Sequence, residues 1–408
     1  MTRSEQQMIN ENIQARMAEA TRLTQEGRLN EATAIIQNAL GNTAPPASPT
    51  AGAEGFDFPI DVTSRLVGGA SQGPAAPWRG AGLGPDLFQT APNLRTRGVQ
   101  HPPGSPFAKT AGAAGGAGDD ERFFTRSYSG AAGARSYKLY VPEGYTGEAV
   151  PLIVMLHGCT QDPDDFAAGT RMNALAEEHG FLVAYPAQSG NANMQKCWNW
   201  FQPADQQRGQ GEPSIIAGIT RQVIEDYAVD EGRVYVSGMS AGGAMAAIMG
   251  ATYPDLYAAV GVHSGLAPGS AHDMPSAFSA MRQGSPGAPM PKTGSNGQTK
   301  VLPTVVFHGD RDGTVHPRNG DRLLANLTAG DGSSLKVSTR QGQVPDGHTF
   351  TRISYRDAEG RSVVERWNVH GLGHAWSGGG RPGSYTDPKG PDASAEMVRF
   401  FMQHAREE

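Results

Sequence analysis

Apolar residues follow two patterns along residues 121–408. Residues 136–141 alternate between apolar and polar positions, whereas residues 151–157 and 181–186 are nearly continuous apolar runs, as expected for strands buried on both faces. Similar runs predict further strands at residues 233–237, 256–263, 302–308 and 363–369. Helices are predicted at residues 174–180, 215–227 and 393–404. This order predicts an α/β fold with a mostly parallel central sheet and helices on both faces.

The N-terminal part of the chain has a different pattern. Apolar residues recur at three- and four-residue steps on both sides of Gly27, which predicts a helical hairpin over residues 1–42 that resembles one tetratricopeptide-type unit. A single unit cannot bury its own apolar face, so we expect it to dock or to self-associate; the alternative is a helical extension without activity. Residues 43–120 are rich in alanine, glycine and proline, which predicts a flexible, mostly disordered linker before the α/β domain at residues 121–408.

Charge and composition exclude several classes of protein. The net charge is -6 and no lysine or arginine cluster stands out, so we expect no nucleic-acid partner. No apolar run is long enough to span a bilayer, and no signal-peptide pattern follows Met1, so we expect a cytoplasmic protein. No group of histidine, aspartate and cysteine residues has the spacing of metal ligands, and we expect neither a metal nor another cofactor.

The pentapeptide Gly238-Met239-Ser240-Ala241-Gly242 lies between a predicted strand and a predicted helix. In α/β-hydrolases, the nucleophile elbow is a glycine-flanked turn with a central serine that connects a strand to a helix. The same G-x-S-x-G pattern occurs around Ser71, but Pro74 follows it and no strand precedes it. Ser240 is therefore the candidate nucleophile.

An acyl-transfer serine needs a histidine base and a carboxylate, and in this fold they follow in the order serine, acid, histidine. Asp310 and Asp312 both follow the strand at 302–308, and we favour Asp312 because its loop can turn back toward the elbow. His370 and His374 both follow the strand at 363–369. We favour His374, which lies beyond the strand in a glycine-rich turn, whereas His370 fits a structural histidine.

An oxyanion site should combine the N–H group after the nucleophile with an N–H group from the loop after an early strand. The first would come from Ala241 and the second from Cys159, in the loop at residues 157–161. Trp198, Trp200 and Trp376 are candidates to line an apolar acyl cleft, with aromatic core packing as the alternative for each.

Residues 125–405 resemble the esterase family of poly(3-hydroxybutyrate) depolymerases, to which feruloyl and acetylxylan esterases of carbohydrate esterase family one are related. The motifs that carry the resemblance are His157-Gly158-Cys159-Thr160-Gln161, Cys197-Trp198-Asn199-Trp200-Phe201, Gly238 to Met245, His308 to Val315 and Gly371 to Gly379. The resemblance implies a triad of Ser240, Asp312 and His374, with Cys159 and Ala241 as oxyanion donors. The motif cysteines of the family are often joined, so Cys159 and Cys197 are either bridged or, as expected in a reducing cytoplasm, two free thiols.

The resemblance also sets the expected activity. We expect a serine esterase that hydrolyses 3-hydroxybutyrate polyester or oligomers, or short-chain esters. A feruloyl or acetyl esterase is the alternative within the enzymes, and a non-catalytic granule-associated or scaffold protein is the alternative outside them. Secreted polymer depolymerases of this type carry a signal peptide and a C-terminal polymer-binding module. We find neither here, which favours soluble oligomers, intracellular granules or short-chain esters, although secretion of many family members keeps an extracellular location open.

Overall fold

The computed structural model describes residues 122–284, 302–329 and 335–406. The predicted hairpin at residues 1–42 and the linker at 43–120 lie outside the described residues, so both stay predictions, as does self-association through the hairpin. All of the described residues fall within the α/β domain that the sequence predicts.

Twelve strands and seven α-helices are present in the described ranges. The strands are β1 (Phe123–Gly130), β2 (Gly133–Tyr140), β3 (Val150–Leu156), β4 (Leu182–Pro186), β5 (Val229–Met239), β6 (Ala259–His263), β7 (Thr304–Gly309), β8 (Lys336–Gln343), β9 (Thr349–Arg356), β10 (Ser362–Val369), β11 (Trp376–Ser377) and β12 (Thr386–Asp387). The helices are α1 (Pro163–Thr170), α2 (Met172–His179), α3 (Gly211–Asp226), α4 (Ala241–Thr252), α5 (Met274–Gln283), α6 (Arg318–Thr328) and α7 (Ala393–Phe401), and a short 3₁₀ helix spans Pro203–Gln206.

Ten strands form one sheet in the order β1-β2-β4-β3-β5-β6-β7-β10-β9-β8. The six strands from β4 to β10 in this order run parallel, and the two strands at each edge are antiparallel additions. Because parallel strands share a direction, the loops that follow β3, β5, β7 and β10 leave the sheet at the same edge. All four of these loops carry predicted site residues.

Apolar side chains cover both faces of this sheet. Alternate residues of β3 point into two separate clusters, with Leu152, Val154 and Leu156 in one and Ile153 and Met155 in the other. The first cluster continues into helices α3, α4, α5 and α6, and the second into α1, α2 and α7. Burial on both faces explains why β3 reads as a continuous apolar run rather than an alternating one.

The predicted mostly parallel sheet with helices on both faces is confirmed. The antiparallel strands β8 and β9 were not predicted. Strand β8 is almost fully exposed and reads Lys-Val-Ser-Thr-Arg-Gln-Gly-Gln, which lacks the apolar positions that mark a buried strand. Edge strands of this kind are formed by pairing to a neighbour and not by a local apolar pattern.

None of the helices in the described ranges has the length and apolar character that crossing a membrane requires. The predicted cellular location stays a prediction.

Candidate active site

Ser240 lies at the sharp turn between β5 and α4, with backbone angles of φ 57° and ψ -120°. A non-glycine residue at positive φ is strained, and such strain typifies the nucleophile elbow. The glycines around it allow the turn to pack closely. A Cβ atom on Gly242 would overlap the carbonyl oxygen of Leu156 at the end of β3, and one on Gly238 would overlap the backbone of Gly242. The elbow therefore sits directly against the end of the neighbouring strand.

The structure brings Ser240, His374 and Asp312 into one hydrogen-bonded chain. Ser240 Oγ lies 3.0 Å from His374 Nε2, and His374 Nδ1 lies 2.8 Å from Asp312 Oδ2. In this arrangement Nδ1–H donates to the carboxylate and Nε2 accepts from the serine hydroxyl, which is the tautomer a general base requires. This hydrogen-bonded series contains the hydroxyl of Ser240, the imidazole of His374 in contact with it, and the carboxylate of Asp312, which orients the imidazole.

Asp312 is buried but surrounded by donors. The backbone N–H groups of Thr314 and Val315 donate to Oδ1 at 2.9 and 2.8 Å, and His308 Nε2 lies 3.4 Å from Oδ2. Burial would raise the pKa of Asp312, but the hydrogen bonds from His308 and His374 outweigh it and hold that pKa well below its usual range. Burial lowers the pKa of His308 against the hydrogen bond with Asp312, which raises it. Asp312 thus faces His374 as a stable carboxylate.

The loop at residues 157–161 lies against the elbow. A Cβ atom on Gly158 would lie 3.6 Å from Ser240 Cβ. Within the described part of the chain, the backbone N–H groups of Cys159 and Ala241 donate to no acceptor. These two groups are the predicted oxyanion donors.

His157 and Trp198 hold this loop from inside the protein. His157 Nδ1–H donates to Gly158 O at 2.7 Å, and His157 Nε2 accepts from the N–H group of Gln188 at 3.0 Å. Trp198 Nε1–H donates to His157 O at 3.1 Å. Burial lowers the pKa of His157 to about 4, so the ring is neutral and supplies the one donor and one acceptor that these contacts need.

The three tryptophans predicted as candidates for an acyl cleft are buried. Trp198 and Trp376 are 0% and 1% exposed, and Trp200 is 5% exposed. Trp376 donates to Ser394 Oγ at 3.1 Å and packs edge-on against Phe166. Burial of their large apolar area favours the alternative of aromatic core packing, and a role in binding the acyl group stays a prediction.

Cys159 and Cys197, separated by 38 positions, are joined by a disulfide. The N–H group of Thr160 also donates to Gln195 O at 2.6 Å. Two adjacent links therefore tie the loop at 157–161 to the segment before Trp198, and of the two alternatives left open by the sequence the structure contains the bridge.

Removing the bridge in a Cys159→Ala/Cys197→Ala variant is expected to lower the free energy of unfolding by about 4 kcal/mol, from loop-closure entropy for a separation of 38 residues. The rate of the ester hydrolysis that the sequence predicts should fall as well, because Cys159 would lose one of the links that place its N–H group. Urea unfolding and initial rates measure the two effects. Titration of two free thiols in the unfolded parent without reductant would contradict the bridge.

Tyr385 was missed by the sequence analysis. Its hydroxyl lies 3.2 Å from Thr160 Oγ1, its ring lies edge-on to His374 at 6.5 Å between centroids, and its carbonyl accepts from the N–H group of Trp376 at 2.6 Å. Tyr385 and Thr160 both have positive φ, 50° and 66°. Tyr385 thus connects the loop at residues 157–161 to the loop of His374. No local pattern could have indicated a contact between residues 225 positions apart.

His263, at the end of β6, was also missed. Its carbonyl accepts from the N–H group of Ser240 at 2.9 Å, and its Nε2 accepts from the N–H group of Ser377 at 3.0 Å. The ring stacks on Trp376 at 4.9 Å. His263 therefore supports the elbow and the segment after His374 from beneath. Its position at the end of an apolar strand was the one available signal.

The competing candidates Asp310 and His370 are hydrogen-bonded to each other, with 3.0 Å between His370 Nδ1 and Asp310 Oδ2. Ser240 instead pairs with His374. Among the described residues no cluster of three or more histidine, cysteine or acidic side chains could hold a metal ion.

Comparison with known proteins adds the family. A family model described as esterase PHB depolymerase matches residues 135–342, just over half of the chain. Poly(3-hydroxyalkanoate) depolymerase C of Paucimonas lemoignei is 35% identical over 245 residues, which cover 58% of this chain and 57% of that protein. Feruloyl esterase B of Neurospora crassa is 32% identical over 249 residues, which cover 58% of this chain and 81% of that protein. The match thus spans little more than half the length of the Paucimonas relative.

Among solved structures, an acetyl xylan esterase from Aspergillus awamori has a TM-score of 0.50 at 22% identity, covering 66% of this chain and 94% of that one. This likeness concerns the fold, which is that of the α/β-hydrolases. The family model and the curated relatives go further, and they show that this chain belongs to the esterase PHB depolymerase family.

Proposed function

We propose that this protein is a serine esterase that cleaves carboxylic esters through an acyl-enzyme formed on Ser240. The observation that carries the proposal is the hydrogen-bonded chain from Ser240 through His374 to Asp312, which starts at a strained turn. The unpaired N–H groups of Cys159 and Ala241 beside that turn add the second element that acyl transfer needs.

In the first step, Ser240 Oγ attacks the ester carbonyl carbon while His374 Nε2 accepts the hydroxyl proton. The N–H groups of Cys159 and Ala241 bind the oxyanion, and each such donor is worth about 2.7–4 kcal/mol in the transition state. Asp312 stabilises the imidazolium. The tetrahedral intermediate then collapses, the bond to the alcohol oxygen breaks, and the alcohol leaves with the proton from His374.

In the second step, water attacks the acyl-enzyme as His374 takes a proton from it. The bond between the acyl carbon and Ser240 Oγ breaks, His374 returns the proton to the serine, and the free acid leaves. Every proton transfer passes through Nε2 of His374. Each transfer to this nitrogen forms an imidazolium, which the Asp312 carboxylate stabilises. The lowered pKa of Asp312 supports an anionic carboxylate in this role.

The proposed substrates are esters of 3-hydroxybutyrate, as polyester or oligomers, and other short-chain esters. Membership of the esterase PHB depolymerase family and the likeness to the Paucimonas depolymerase support this class. A feruloyl or acetyl ester is the second candidate, supported by the feruloyl esterase B of Neurospora crassa, whose length is covered to 81%. A non-catalytic granule-associated or scaffold role is disfavoured, because such a protein has no use for an aligned serine, base, acid and oxyanion site.

A substrate panel with covalent labelling tests the proposal. We expect turnover of p-nitrophenyl butyrate and incorporation of one organophosphate per chain, found by mass spectrometry on the peptide that contains Ser240. Faster hydrolysis of 3-hydroxybutyrate oligomers than of methyl ferulate would favour the first substrate class, and the reverse order would favour the second. Absence of both turnover and label in folded protein would refute the esterase.

A further inference from the structure

A second hydrogen-bonded chain of hydroxyl, imidazole and carboxylate lies beside the first. His370 Nδ1 lies 3.0 Å from Asp310 Oδ2, and His370 Nε2 lies 2.9 Å from Thr351 Oγ1. The other carboxylate oxygen of Asp310 accepts from the N–H group of Gly371 at 2.7 Å. The side chains of Asp310 and His370 are both a little more than one-third exposed, so this contact lies at the protein surface.

The contact between Asp310 and His370 lies where the pairing of strands β7 and β10 ends. Their last matched residues are Gly309 and Val369. Beyond that point the N–H group of Asp310 donates to Val369 O, and the N–H group of Arg311 donates to Leu372 O, both at 3.1 Å. The Asp310–His370 contact thus continues the link between the two strands into the two loops.

These two loops carry the proposed acid and base of the esterase. Asp312 follows Asp310 by two residues, and His374 follows His370 by four. The Asp310–His370 contact adds a side-chain link to the backbone hydrogen bonds that already join these loops. It helps to set the distance between the loops, and a displacement of about 1 Å at a reacting group can cost on the order of 100-fold in rate.

Thr351 connects this contact to a third element. It lies within β9, which pairs with β10, and His370 also donates its own N–H group to Thr349 O at 2.8 Å. Thr351 is in regular strand and not at a strained turn, in contrast to Ser240. Its hydroxyl therefore serves as a partner that fixes the His370 ring and not as a nucleophile.

We propose that Asp310, His370 and Thr351 form a clamp that positions the loop of Asp312 against the loop of His374, as positioning residues for the esterase reaction. The inference rests on the proposed function. Asp310 holds the two loops together through its carboxylate, and Thr351 orients the imidazole that it binds. Hydrogen bonds from the Gly371 N–H group and from His370 lower the pKa of Asp310 against the opposing effect of burial, which agrees with a carboxylate in this role.

Four variants test the clamp. Asp310→Asn removes the carboxylate, His370→Gln removes the imidazole, Thr351→Val removes the hydroxyl at nearly constant volume, and Thr351→Ser keeps the hydroxyl. Asp357→Asn is the matched control, because Asp357 forms an ion pair with Arg361 at 2.9 Å in the β9–β10 hairpin, at the end that lies away from the loops of Asp312 and His374.

We expect Asp310→Asn and His370→Gln to lower kcat per organophosphate-titrated site on the order of tenfold, with KM within about twofold of the parent, because misplacement affects the reacting groups and not ester binding. Thr351→Val should lower kcat less, and Thr351→Ser should restore it. The double variant Asp310→Asn/His370→Gln should be no slower than the worse single variant, since both break one contact.

Parent-like kcat per titrated site in both Asp310→Asn and His370→Gln would overturn the clamp, as would an equal fall in kcat in Asp357→Asn. Fully additive losses in the double variant would also overturn it. Failure of the proposed function gives a different result, since the parent would then neither turn over p-nitrophenyl butyrate nor take up the organophosphate.

Discussion

Ser240→Ala is expected to lower kcat for p-nitrophenyl butyrate on the order of 10⁶-fold, the size of effect measured when the nucleophile of a serine hydrolase is removed. The alanine methyl group cannot form the acyl-enzyme, whereas His374, Asp312 and the oxyanion donors remain in place. Unfolding should change little, because Ser240 adds one hydroxyl to a turn that is held by Gly238, Gly242 and the backbone bond from residue 240 to His263.

The second G-x-S-x-G sequence supplies a matched control. Ser71→Ala removes the central serine of the same pattern, and we expect full turnover and full organophosphate labelling. Residual turnover by Ser240→Ala at the parent rate, or loss of labelling in Ser71→Ala alone, would show that the nucleophile had been assigned to the wrong serine.

Asp312→Asn is expected to lower kcat on the order of 10⁴-fold, as the corresponding change does in a serine protease triad. The asparagine side chain is neutral and can donate to His374 Nδ1, which favours the tautomer with a proton on Nε2. That nitrogen would then be unable to accept the proton of Ser240. Because the pKa of Asp312 is already well below its usual range, acid inactivation of the parent should not arise from protonation of this carboxylate.

Initial rates, circular dichroism and thermal unfolding of Asp312→Asn measure the effect against loss of fold. Asp310→Asn is the informative comparison, since it changes the competing acid two residues earlier and should cost far less than Asp312→Asn. An equal or larger loss in Asp310→Asn would reverse the assignment of the two acids.

The central strands were predicted because their environment is uniform. Strands β3, β4, β6 and β7 are almost entirely buried on both faces, so their sequences are mostly apolar. Such strands can be recognised in the sequence without knowing which strands they pair with. Strand β8 has no such environment, and its sequence carries no comparable signal. Site residues followed the same logic, since Ser240, Asp312 and His374 all lie just past the end of a buried strand.

Local sequence patterns did not predict which residues would surround a given side chain. Trp198 is an apolar aromatic residue that would suit a cleft as well as a core, and only packing against the loop of His157 placed it inside. The pairing of Cys159 with Cys197 and the contact of Tyr385 with Thr160 likewise join distant segments. Such contacts depend on how loops meet once the sheet has formed.

The alternation of buried strands with helices, the elbow at Ser240 and the sequence of acid before histidine can be read from the amino-acid sequence, since each leaves a local apolar, glycine or spacing pattern. The partition of two aspartates and two histidines into an inner pair and an outer pair was decided by the folded structure. Both pairs have the same residue types on the same two loops, and only the register of β7 against β10, together with the path of each loop beyond it, determines which pair meets Ser240.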